Sequence, residues 1–174
     1  MTHDQFWQII ADTCGSDPRC AEEWDTRLTE ALATLPADEI VEWNHIFDDL
    51  AKQAYRTDLW AAAYLINGGA SDDGFYYFRC WLIGMGKTIY ENAISDPDSL
   101  ADVASPDWFA EGIHAEAEIY AAAHQAWMRV TGNDDDADYP ARNEAAQLVG
   151  EDWDFDDKKE MQKRLPRLAA SYEQ

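Results

Sequence analysis

The sequence predicts an all-α protein: a single domain spanning residues 1–174, built as a bundle of about six helices around a buried central helix. Three observations predict it. Apolar residues recur every three to four positions along most of the chain, the period of a helix with one buried face. Cap and stop residues punctuate that pattern at Thr2, Asp17-Pro18, Pro36, Ser71, Asp96-Pro97 and Ser105-Pro106. No hairpin signal interrupts it, and no stretch of strict alternation is read in it. With 174 residues, 47% apolar and 13% aromatic, the chain can bury a core despite a net charge of -22.

The elements follow in order. Thr2 and Gln5 have capping-box spacing and open a first helix that buries Phe6, Ile9 and Ile10. Gly15-Ser16-Asp17-Pro18 ends it, with Asp17 placed to cap a second helix carrying Trp24, Leu28, Ala31, Leu32 and Leu35. A third starts after Pro36, its stripe running through Ile40, Trp43, Asn44, Phe47, Leu50, Ala51 and Ala54. Thr57 or Asp58 caps a fourth, with Leu59, Ala62, Ala63 and Ile66 on one side and Trp60 and Tyr64 on another. The fifth runs from about Asp72 to Ile94, is apolar on most sides, and is therefore the central one. A sixth begins at Ser105-Pro106 and stops at Gly132. Residues 133–145 form an acidic loop, and 151–174 a C-terminal extension packed on the domain, with a short helix ending near Leu165-Pro166.

The most unusual chemistry lies between helices four and five. Asn67, Gly68 and Gly69 tolerate the left-handed backbone that ends a helix. Ser71 or Asp72 can accept an orphan N–H of the next helix, and Asp72 and Asp73 sit where the helix dipole favours negative charge. Gly74 lets two backbones approach. Capping thus accounts for a tight corner. The same stretch also reads as a pocket: Asn67, Ser71, Asp72, Asp73 and Arg79 crowd together, flanked by Trp60 and Trp81. Arg79 stands beside an apolar stripe, so it calls for a carboxylate, either internal or on a ligand.

This segment also carries a resemblance. Trp60, Ala62, Ala63, Tyr64, then Ile66, Gly68, Gly69, Ser71, Asp72, Asp73, Phe75, Phe78, Arg79, Trp81, Leu82, Ile83, Gly86, and Pro97-Asp98-Ser99-Leu100-Ala101 match the core pattern of the bacterial domain-of-unknown-function 4240 family, which the chain resembles. The opening Phe6-Trp7-Gln8-Ile9-Ile10 and the closing Leu165-Pro166-Arg167-Leu168-Ala169 look familial too. Ala70 departs from the pattern, where cysteine is expected, which argues against a thiol role there. The resemblance implies no activity.

Other chemistry is weaker. Two Glu-x-x-His pairs, Glu42 with His45 and Glu111 with His114, each share a helix face; with Glu30 and Glu91 they approximate a di-iron carboxylate set, and Glu118 adds a carboxylate beside His114. So acidic a chain produces such matches by chance, and no cofactor is favoured. Asp134-Asp135-Asp136-Ala137-Asp138 fails as a calcium loop, because Tyr139 and Ala145 stand where Gly and Glu are needed. Gly84, Gly86 and Lys87 lie inside a helix and follow no strand, so they form no phosphate loop. His124 reads as a core histidine.

The charge excludes nucleic acid and anionic membranes as partners. Three cysteines include no C-x-x-C pair; Cys80 reads as core, and Cys14 and Cys20 could bridge a short loop but read first as a reduced pair. The N-terminus lacks a leader pattern, so a cytoplasmic location is expected. The leading expectation is a binding or interaction module for a protein partner or small ligand, sited at the corner. The alternatives are an enzyme or di-metal protein, and an acidic immunity or nucleic-acid-mimic protein that blocks a basic partner.

Overall fold

A computed structural model describes residues 1–15, 17–133, 135, 138–140, 142 and 145–172, with residues 18–20, 109 and 110 described in backbone only. Among the described residues there are ten α-helices and no strand. They are α1 (His3–Thr13), α2 (Trp24–Leu32), α3 (Ala37–Gln53), α4 (Thr57–Asn67), α5 (Asp72–Gly84), α6 (Lys87–Ser95), α7 (Asp107–Ala110), α8 (Ala122–Thr131), α9 (Lys158–Arg164) and α10 (Pro166–Tyr172). Short 3-10 turns span Pro18–Glu23, Pro97–Asp102 and Ile119–Ala121. No described helix is long and apolar enough to cross a membrane.

The capping chemistry explains several ends. Thr2 and Gln5 form a reciprocal capping box on α1. Gly68 (φ +67) and Gly132 (φ +68) end α4 and α8 in the left-handed region. Ser71 accepts the Gly74 N–H at 3.1 Å and caps α5.

Four expectations need correction. The expected fifth helix is two, because Gly86 turns at φ +92 and restarts the chain as α6; Gly84 is the last residue of α5 and Lys87 the first of α6, on either side of the break. The expected sixth helix breaks after Ala110, where Gly112 (φ +72) turns the chain, and resumes only at the 3-10 turn before α8. Neither Thr57 nor Asp58 caps α4 from the N-cap position. Arg56 stands there with its guanidinium gripped by Asp58, while the Asp58 carboxylate accepts the Leu59 N–H. Pro18 opens a 3-10 turn, so α2 starts only at Trp24. The Asp134–Asp138 loop falls largely outside the described residues, as does the Cys20 side chain.

The core is continuous and aromatic. Phe6, Trp43 and Phe47 stack in series, with ring centroids 4.9 and 5.5 Å apart. Trp24, Phe75, Phe78, Cys80, Trp81, Leu82 and Ile83 have no exposed surface. Helix α5 sits against α1, α3, α4 and α6, which is why its second half is buried on every side. Gly84 is required to be small for packing: a Cβ there would lie 2.4 Å from the Trp24 ring. Gly74, expected to allow close backbone approach, has only Glu116 and Ser71 side-chain oxygens 3.5 Å from such a Cβ, which is ordinary contact.

The described residues from Val149 to Tyr172 fold back onto this body. Val149 forms an isolated parallel bridge with Arg56, donating to the Tyr55 carbonyl at 3.1 Å and accepting from the Thr57 N–H at 2.9 Å. Helix α10 packs on α4 and on the Pro97–Asp102 turn. Buried Asp98 fixes it there by accepting the Arg167 and Leu168 N–H groups at 3.0–3.1 Å, two of the orphan donors of its first turn.

Candidate functional site

The corner residues separate into different environments. Asn67 is buried and accepts the Ala115 N–H at 2.9 Å, so it fastens the loop before α8 to the end of α4. Ser71 caps α5, and Asp72 and Asp73 are exposed in its first turn. Trp81 has no exposed surface and packs edge-on to Trp108.

Arg79 turns inward. Only 8% exposed, it donates Nη1–H to the Ala51 carbonyl at 2.8 Å, and its Nε reaches the Phe75 carbonyl of its own helix at 3.4 Å. Its guanidinium lies over Tyr55, Tyr76 and Phe75 at 4.6, 5.1 and 5.2 Å from the ring centroids. No described carboxylate lies within ion-pair distance. The charge meets instead the partial negative end of α3, where the Leu50 and Lys52 carbonyls accept the N–H groups of Ala54 and Tyr55 and the Ala51 carbonyl accepts Arg79. Tyr90 from α6 adds a second hydrogen bond to the neighbouring Leu50 carbonyl, at 2.8 Å, beside the one from the Ala54 N–H. Burial draws the Arg79 pKa downward, yet a guanidinium stays protonated in a protein.

Trp60 leads to a different place. Its indole Nε1 donates to the Ala70 carbonyl at 3.0 Å, and its ring stacks on Phe75 at 4.9 Å and 15°. The corner therefore sets the plane of Trp60. The outer side of that ring lines a groove of about 340 Å³. Tyr64, one turn along α4, continues the wall, and Trp153 and Phe155 supply the opposite one. Phe155 lies 6.3 Å from Trp60, 5.7 Å from Tyr64 and 5.0 Å from Trp153, tilted 59–70° to each. Asp152, Asp154 and Asp156 alternate with these aromatics and rim the groove. Tyr64 donates its hydroxyl to Asp156 at 2.7 Å, which holds the phenol pKa above its usual value. Arg164, which does not line the groove, stacks over Trp153 at 5.1 Å and pairs with Glu151 and Glu160 at 2.8 and 3.0 Å.

Of the expected site residues, only Trp60 lines this groove. Tyr64 was visible as the second aromatic on its side of α4. Trp153, Phe155 and the three aspartates were missed, and Asp152-Trp153-Asp154-Phe155-Asp156, a short run of strict alternation, corrects the reading that the sequence has none.

A second cavity, about 660 Å³, lies between the Pro18–Glu23 turn, the start of α2 and the 112–121 segment. Asp25, Glu116, Glu118, His114, Tyr77 and Tyr120 line it. Burial raises the Asp25 carboxyl pKa, and Glu118 adds to the rise.

The Glu-x-x-His pairs do not form the expected set. Glu42 pairs with the N-terminal ammonium, and the His45 Nε2 lies 3.3 Å from the Pro140 carbonyl. Glu111 follows the end of α7 and is separated from His114 by the turn at Gly112, so the two share no helix face. Among the described residues no group of three His, Cys, Asp or Glu side chains is arranged to hold a metal ion. Cys14 and Cys80 are buried thiols whose pKa values burial raises to about 11 and about 12, which makes them poor nucleophiles at neutral pH.

The family pattern thus has a structural reading: Trp60 is oriented by the corner, Arg79 ties α5 to α3, and Asp98 anchors α10. No curated protein and no solved structure matches the chain. A family model does match residues 1–129, which leaves Leu165–Ala169 and the Trp153–Phe155 wall outside the matched span. The chain belongs to the family described as protein of unknown function (DUF4240).

Proposed function

We propose that this protein is a binding module for cationic groups and that the groove between Trp60, Tyr64, Trp153 and Phe155 is its site. The single observation that carries this reading is the pairing of four aromatic side chains with three carboxylates around one groove. Aromatic faces attract an ammonium or guanidinium through the ring quadrupole, and carboxylates on the rim add charge attraction. An anion is repelled by the same rim. A neutral apolar ligand gains nothing from it. Trp153 already engages one cation outside the groove lining, since Arg164 stacks on its ring.

Magnitudes set the expected strength. Two open cation–π contacts contribute about 0.5–1 kcal/mol each. Rim carboxylates contribute up to about 1 kcal/mol each. A bare head group is therefore held with a dissociation constant on the order of 1 mM. The test is calorimetric titration with tetramethylammonium and with tert-butanol, a neutral molecule of similar bulk. Binding of the first alone, lost in Trp153→Ala and weakened in Asp154→Asn, supports the reading. Equal response to both compounds, or to neither, refutes it.

A further inference from the structure

The segment leading into the groove has a property that a small cation would leave unused. Ala145–Leu148 runs without helix, turn or bend and is exposed throughout. Among the described residues, no backbone N–H or C=O of these four meets a hydrogen-bonding partner. Val149, which follows, uses its own N–H and C=O to dock on Tyr55 and Thr57. Gly150 then lies flat against Thr57: a Cβ there would meet its side chain at 3.2 Å, and its φ of +120 suits glycine. The segment is thus pinned at one end to α4 and offers an unpaired main-chain edge beside the pin. Such an edge is a template for another strand.

Its side chains and charge narrow the partner. Leu148 is 40% exposed and lines the groove, and Val149 is 61% exposed, so an apolar shelf adjoins the aromatic walls. Residues 133–157 contain ten Asp or Glu and one Arg. Resting on the cation-binding reading above, we infer that the occupant is an extended, basic segment of a partner protein, pairing its main chain with Ala145–Leu148 and placing an Arg or Lys side chain in the groove. Main-chain pairing then provides affinity and the groove provides selection, the division of labour seen wherever a peptide adds to an exposed edge.

Five probes test this by calorimetry against the full chain. They are N-acetyl-arginine methylamide; a capped six-residue Val/Thr peptide with one central Arg; the same peptide with Glu in place of Arg; and two copies of the Arg peptide, each N-methylated along one edge. The expected result is that the Arg peptide binds at least tenfold more tightly than the amino-acid amide, that the Glu peptide does not bind, and that methylating one edge but not the other cancels the gain. Equal affinity of peptide and amide, or indifference to methylation of both edges, overturns the strand-pairing inference while leaving the head-group site standing. Silence of every Arg probe overturns both.

Discussion

Arg79 of α5 donates to the carbonyl of Ala51 in the last turn of α3, at 2.8 Å, and beneath its guanidinium lie aromatic rings rather than a carboxylate. This is a helix cap delivered by a cation from a different helix. Replacing Arg79 by Ala removes a charged hydrogen bond and the ring contacts together, and should cost about 3 kcal/mol in denaturant unfolding. Arg79→Lys keeps the charge but not the planar stacking, and should recover less than half of that. Tyr90→Phe, which removes the hydroxyl from the Leu50 carbonyl and from Gln53 while the Ala54 N–H stays on Leu50, should cost about 1 kcal/mol. If Arg79→Ala left stability unchanged, the capping account would be wrong.

The two glycines of α5 should behave oppositely. Gly84→Ala drives a methyl into the Trp24 ring and should destabilise the protein by about 1–3 kcal/mol. Gly74→Ala, in the first turn of the same helix, meets only the Ser71 and Glu116 side-chain oxygens at ordinary contact distance and should stabilise by up to about 1 kcal/mol. Thermal melts of the two variants decide it, and a reversed order would contradict the packing described at Trp24.

The outcome at these positions shows what the sequence could convey. Local chemistry was legible: the Thr2–Gln5 box, the Ser71 cap and the left-handed glycines all act between residues a few positions apart. The break at Gly86 was hidden because the apolar stripe continues from Leu82 and Met85 into Ile89, so periodicity alone does not distinguish one helix from two in register. The partner of Arg79 was not legible because a backbone carbonyl carries no residue-type signal. The groove was not legible as a whole because its walls, Tyr64 and Phe155, come from segments far apart in sequence. Its distal half was nevertheless written as a five-residue alternation of acid and aromatic.

The acidic cavity makes a pH prediction. The Asp25 pKa is raised in the folded state, first by burial and then by Glu118. The folded chain therefore binds this proton more tightly than the unfolded chain does. Asp25 then destabilises the fold increasingly as pH rises from the ordinary Asp value, about 3.9, through the raised one, and the loss is complete above it. Carbon-13 titration should place the Asp25 midpoint above that of a free Asp and move it down in Glu118→Gln. Asp25→Asn should raise the melting temperature at pH 7 and lose that advantage below pH of about 4. An unshifted midpoint would remove the burial argument.

Asp98 accepts two first-turn N–H groups of α10 from within the Pro97–Asp102 turn. Asp98→Ala should cost about 2 kcal/mol and speed amide exchange across residues 158–172 more than across α3. Uniform exchange acceleration over the whole chain would show instead that α10 does not open independently.

The central claim is that a cationic head group lodges between Trp60 and Trp153, on a ring plane set by the Ala70 carbonyl. The most direct measurement is an NMR titration with tetramethylammonium, reading intermolecular contacts between its methyl protons and assigned aromatic protons. The account predicts contacts to Trp60, Trp153 and Phe155, with upfield-shifted methyls. Contacts to Tyr77 and Tyr120 in the acidic cavity, or none to any aromatic ring, would contradict it.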